Sequence, residues 1–265
     1  MKLSKIFFAI IVLITISLPA FSAGDSRKLP VLVYHHIQDP VKSDVSCTPA
    51  QFEAQMVAMK DAGFTPLTIP QTKAFLAGTL PEDIKEPVLI TFDDGYESLY
   101  TYALPISKKY NIPMVVFVVT ARIGQKPQFA RYLSAKQIKE MFQSGLWFFG
   151  SHTHDLHTES ERIYNAFGGG DCNPVLDTLR KDLTTSSNCL KEIIGFPPEI
   201  IAWPYGKHNS EYSAIAKITG YKMHFTSLYG YNEPGSNPYS IKRIPVSSRD
   251  TPTSVLKKCR GRIIK

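Results

Sequence analysis

From Leu29 onward the sequence alternates short apolar runs with segments of helical periodicity, and that alternation restricts the fold more than any other feature. The runs at 31–34, 88–92, 114–119, 147–150, 200–203, 222–226 and 241–245 read as strands, most of them as continuous as strands buried on both faces. Between them lie helical patterns at 49–62, opened by a Thr48 cap, at 134–144 with a Ser134 cap, and at 210–219, stopped by Gly220. Strands alternating with helices call for a parallel sheet or a closed barrel with the helices outside. Seven such units in about 240 residues favour an α/β fold of the (β/α) barrel kind, distorted or incomplete.

The first residues carry Lys2 and Lys5, an apolar core from Ile6 to Leu18, then Pro19 and small residues to Gly24. This is the layout of a secretory signal peptide over 1–23, and the apolar run is shorter than the ~20 residues of a spanning helix. The expectation is a single domain over 24–265, secreted or periplasmic, with no membrane span left after removal of the leader. The net charge is +7, but only Lys257-Lys258-Cys259-Arg260-Gly261-Arg262 is clustered, and no patch with interleaved aromatics suggests nucleic acid. In an oxidising compartment Cys47, Cys172, Cys189 and Cys259 suggest two disulfides, Cys172 with Cys189 and Cys47 with Cys259, although three connectivities are open.

Four motifs fall at the C-terminal ends of expected strands: Tyr34-His35-His36, Asp93-Asp94-Gly95-Tyr96, the run from His152 to His157, and Trp203-Pro204-Tyr205-Gly206. In a parallel barrel all strand C-termini open on one face, so these segments converge. One aspartate with two histidines suits a divalent cation that keeps a coordination position open for water. The second aspartate is then free to take a proton, and a nearby imidazole to give one to a leaving nitrogen. Such a set points to hydrolysis of an amide or ester. Imidazole and carboxylate favour zinc, with cobalt, nickel or iron as alternatives. The irregular stretch 159–173, with its three glycines, reads as a functional loop beside the histidines.

Thr91-Phe92-Asp93-Asp94-Gly95-Tyr96 and the histidine pair resemble the polysaccharide deacetylase family, carbohydrate esterase family 4. The early Tyr34-His35, the five-residue step from His152 to His157 and the Trp-Pro-Tyr-Gly segment are most similar to its branch acting on poly-β-1,6-N-acetylglucosamine of biofilm exopolysaccharide. The resemblance implies a distorted partial (β/α) barrel, with Asp94, His152 and His157 as metal ligands and Asp93 as general base. It further implies His35 as general acid and the backbone N–H of Tyr205 as an oxyanion donor. Trp203 and Tyr205 offer aromatic walls for a sugar ring, and Tyr96 joins them as a substrate contact. Many members place an arginine where this chain has Ala202, and Arg243, at a strand end, is the candidate substitute.

The remaining polar residues of these motifs have blander readings. His154 is expected beside the site or on the surface, His36 to be structural, His208 and His224 to be ordinary surface or core residues, and Asp155 to cap the histidine loop. The expected reaction is removal of N-acetyl groups from an N-acetylglucosamine polymer, with peptidoglycan or chitin oligomers as alternative substrates. A catalytically weak polysaccharide-binding scaffold is the alternative of another class. Exopolysaccharide export machinery is the expected protein partner.

Overall fold

The computed structural model describes residues 26–127, 130–157 and 173–261. The apolar runs become seven parallel strands: β1 (Leu29–Tyr34), β2 (Glu86–Phe92), β3 (Met114–Val118), β4 (Trp147–Ser151), β5 (Ile200–Ala202), β6 (Met223–Tyr229) and β7 (Ile241–Pro245). Neighbours pair in sequence order from β2 to β7, and β1 pairs with both β7 and β2, so the ring closes. The barrel expected from the alternation is therefore present, built on seven strands. A short antiparallel strand, Tyr231–Asn232, pairs with the start of β1, and Phe64–Pro66 pairs with the start of β2.

Period-two alternation sorts the strand residues into a lumen and an outer layer. Leu29 and Val31, Leu89, Val115 and Phe117, Ile200 and Ala202, Met223 and Phe225, and Ile241 form one buried cluster inside the ring. Gly150 belongs to that layer: a Cβ there would lie 2.6 Å from Ile200 and 2.7 Å from Phe117, so its absence admits the Phe117 ring, which packs 4.9 Å from Phe225. The alternate residues, Leu32, Tyr34, Ile90, Phe92, Val116, Trp147 and Phe149 among them, face helices.

Those helices are α1 (Pro49–Asp61), α2 (Ile69–Leu76), α3 (Leu104–Tyr110), α4 (Ala135–Gln143), α5 (Asn173–Ile194), α6 (Ser210–Ile218) and α7 (Pro252–Cys259). Local chemistry sets their starts. Thr48 and Gln51, Thr68 and Gln71, and Ser134 and Gln137 each form a reciprocal capping box that satisfies two amides left open at a helix N-terminus. Leu179 and Leu183 of α5 and Tyr212 and Ala216 of α6 pack on Ile201 and Trp203, the outward residues of β5 and its exit.

His224 is fully buried in this last region, its ring edge-on to Trp203 and Tyr239 and its Nδ1 3.2 Å from Ser213 Oγ. It is a core residue, as expected, and burial pushes its pKa from 6.5 to about 4. The unfolded chain therefore takes up the proton first: the stability tied to neutral His224 is complete above about 6.5 and is lost as pH falls towards 4. In urea unfolding at pH 7 and pH 4.5, His224→Phe is expected to lose about 2–3 kcal/mol less than the parent chain over that interval. Equal losses in the two proteins would contradict it.

The expected disulfides are corrected in part. Cys47, Cys189 and Cys259 carry free thiols, and Cys172 lies outside the described residues. Cys47 and Cys259 sit in the same apolar cluster without bonding, acting as small hydrophobic residues, and burial pushes each thiol up to about 12. The proposed leader at 1–23 and nearly all of the loop at 159–173 also lie outside the described residues. Among the described residues no helix is long and apolar enough to cross a membrane.

Candidate active site

The C-terminal ends of β1, β2, β4 and β5, with Arg243 from the middle of β7, bring the chemistry together. Asp93 continues the inward series Leu89 and Thr91 of β2, and its N–H donates to the Tyr34 carbonyl (3.0 Å). His35 and Asp93 therefore leave neighbouring strands at the same level. Arg243 continues the inward series of β7 from Ile241, and its guanidinium lies 5.8 Å from the Phe117 ring. Its Nη1 and Nη2 donate to the two oxygens of Asp93 at 2.7 and 2.8 Å, and its Nε donates to the Thr226 carbonyl at 2.8 Å. Such a two-pronged pair fixes both distance and plane.

Ala202 lies inside the barrel, and the guanidinium that reaches Asp93 comes from Arg243 of β7. Burial by itself would raise the Asp93 pKa; the Arg243 charge and hydrogen bonds, with His152 and His35, outweigh it and hold the group below the ordinary carboxylate range. Asp93 is thus an ionised carboxylate locked in one orientation.

Asp94 turns the other way because its backbone is left-handed (φ 70°). Its Oδ1 lies 3.1 Å from Nε2 of His157 and 3.7 Å from Nε2 of His152, and the ligand atoms of the three residues all lie within 4.8 Å of one another. A tetrahedral ion with ligands about 2.1 Å away would separate them by about 3.4 Å. The buried Asp94 Oδ1 makes no hydrogen bond despite these neighbours, and an acceptor left in that state suits a cation. Nδ1 of His152 bonds the Ala202 carbonyl at 2.8 Å, which leaves Nε2 as the free lone pair facing Asp94. Burial lowers the His152 pKa and favours the neutral, ligating form. The donor set therefore fits a divalent metal. Burial first, then the Asp94 charge, keeps the phenol of the neighbouring Tyr96 protonated.

The other expected residues fall in several places. His35 is half-buried, close enough for its charge to act on Asp93 and Asp94, and its Nδ1 makes no hydrogen bond among the described residues. Tyr205 is 65% exposed with its ring 5.1 Å from that of His157, and it adopts a left-handed conformation (φ 54°). The following Gly206 is obligatory, since a Cβ there would lie 2.7 Å from the Ser227 backbone nitrogen. Trp203 requires a correction: it is 1% exposed and packs outward against α5 and α6, so it presents no wall to a sugar. Tyr96 is half-buried between the rings of His36 (4.4 Å) and Tyr132 (5.2 Å).

His154 turns away from the cluster, its Nδ1 2.9 Å from Thr120 Oγ1. His36 has its ring on Tyr96, and His208 is held by the Gly206 carbonyl. The loop between the histidines is held from α5 by Asp182, which accepts from the amides of His154 and Asp155, both at 2.7 Å. Nothing local in the sequence marks Asp182, because it lies mid-helix and 28 residues from its partner.

The pattern of the family described as "Polysaccharide deacetylase" matches residues 81–224, more than half of the chain. A poly-β-1,6-N-acetyl-D-glucosamine N-deacetylase of Staphylococcus aureus is 35% identical over 207 residues, covering 76% of this chain and 68% of that protein. Among solved structures, IcaB from Ammonifex degensii superposes with a TM-score of 0.75 at 29% identity, over 89% of this chain and 98% of that one. The Streptococcus pyogenes deacetylase PplD, solved with acetate, gives 0.74 at 27% identity, over 88% and 98%. The barrel, the aspartate pair and the length of these matches agree, and the chain belongs to the polysaccharide deacetylase family.

Proposed function

We propose that this protein is a metal-dependent de-N-acetylase of an N-acetylglucosamine polymer, with the β-1,6-linked polysaccharide as its substrate. The observation that carries the reading is the division of labour between adjacent carboxylates. Asp93 is held ionised by Arg243, while Asp94 turns into the cluster with His152 and His157. A divalent ion held by Asp94, His152 and His157, zinc by preference, would lower the pKa of a bound water and polarise the acetyl carbonyl. Asp93 accepts the proton of the attacking water, and Arg243 keeps its carboxylate aimed and charged. His35 gives a proton to the departing sugar amine. The Tyr205 backbone N–H donates to the developing oxyanion, and its exposed ring offers the sugar an apolar face. Tyr96, beside Tyr132 and half-buried, is the further substrate contact of this reading.

The choice of β-1,6 linkage rests on the Staphylococcus aureus relative and on the His152 to His157 step. The reading includes action outside the cytoplasm after removal of the leader, beside exopolysaccharide export machinery. Acetate release should be compared on β-1,6-linked N-acetylglucosamine oligomers, chitin oligomers and peptidoglycan glycan strands. Preference for the first is expected. Preference for either of the others would replace the substrate, and polymer binding with no acetate from any would turn the reading into a binding scaffold.

A further inference from the structure

The loop that separates the two histidines is held by one side chain from a helix. His152 and His157 are five positions apart, yet their ring centroids lie 5.2 Å from each other, so the chain between them must turn back sharply. It does so through Thr153 in the left-handed region (φ 70°), which a β-branched residue adopts only when its surroundings impose it. Three successive amides of the turn end on side-chain oxygens. Thr153 N–H donates to Ser151 Oγ (3.0 Å), His154 N–H to Asp182 Oδ1 (2.7 Å) and Asp155 N–H to Asp182 Oδ2 (2.7 Å). Asp182 is 8% exposed and sits on α5, and Ser186, one turn further along the same face, lies 2.7 Å from Ser151 Oγ.

We infer that Asp182 is a positioning residue for the Asp94–His152–His157 cluster: by holding the amides of His154 and Asp155 it sets the turn that brings His157 onto the metal. This inference rests on the metal-binding reading above. With Asp182 truncated, two amides lose their acceptor and the strained turn at Thr153 loses the restraint that maintains it. His157, beyond the turn, then moves out of register, whereas His152, anchored on β4 and the Ala202 carbonyl, stays. The consequence appears in affinity for the ion. It differs from a general loss of fold, because Asp182 touches neither the lumen nor the Asp93–Arg243 pair.

The test is a Co²⁺ titration of the full chain, read by the visible absorption of the bound ion and by competition with a chromogenic chelator. Asp182→Ala is expected to weaken binding by about 10–100-fold, the range found when groups supporting metal ligands are removed. Asp182→Asn, which keeps one acceptor oxygen, should fall between Ala and the parent. Asp177→Ala, exposed on the same helix, should not change it. Placing glycine at position 153 in the Asp182→Ala background should recover part of the affinity, because glycine takes the left-handed turn without restraint. If Asp182→Asn and Asp182→Ala fold with the parent's melting temperature and bind Co²⁺ as tightly as the parent, the inference is wrong. If the parent itself binds no Co²⁺, it is the metal reading that fails.

Discussion

Arg243→Met is expected to lower unfolding stability by about 3–5 kcal/mol and to move the acid limb of the activity profile to higher pH. Arg243 and Asp93 are 3% and 4% exposed, and removal of the guanidinium leaves a buried carboxylate without its cation. The Asp93 pKa is depressed in the folded protein against the pull of burial, so its ionised form is stabilised above the ordinary carboxylate range and that contribution is lost as pH falls. Without Arg243 burial prevails, the pKa rises, and the base is protonated at pH values where the parent is active. Arg243→Lys should recover charge but not the two-pronged geometry, and its activity should lie between Met and the parent. Urea unfolding and pH–rate profiles of the three proteins check this. Unchanged profiles in Arg243→Met would remove Arg243 from the account.

Loss of a metal ligand is expected to have the other large effect. Asp94→Ala and His157→Ala should each bring acetate release down to that of the metal-stripped protein and abolish stoichiometric binding of Zn²⁺, measured by atomic emission after dialysis. His154→Ala is the informative contrast, because it lies between the ligands in sequence but bonds Thr120 in space. It should keep a full equivalent of metal. A His154→Ala protein that loses its metal, beside a His157→Ala protein that retains it, would exchange the two assignments.

How much of this was legible in the sequence depended on the range of the interaction. The strands were readable because buried parallel strands carry continuous apolar runs, and the Thr48 and Ser134 helix starts because a capping box is local chemistry. Asp93, Asp94, His152 and His157 stood out as polar residues at the ends of apolar runs, and the structure gathers all four. Trp203 lies on the outer face rather than in the substrate groove, and the signal for that is present in the sequence. It alternates with Ala202 and so shares the outward face of Ile201. The same alternation puts Asp93 and Arg243 in the lumen, but their pairing spans 150 positions and needed the closed ring. Asp182 gave no local sign, since an aspartate on a half-polar helix looks like any solvated one. The even count of cysteines suggests pairing, but it says nothing about the apolar cluster in which Cys47 and Cys259 stay free thiols.

The central claim is that one aspartate of the pair serves the metal and the other the proton. Acetate release and Zn²⁺ content should be measured together for the parent and for Asp93→Asn on a β-1,6-linked N-acetylglucosamine oligomer. The account predicts that Asp93→Asn keeps its equivalent of zinc while its rate falls by about 10²–10⁴-fold. Loss of zinc from Asp93→Asn, or retention of the parent's rate by it, would contradict that division.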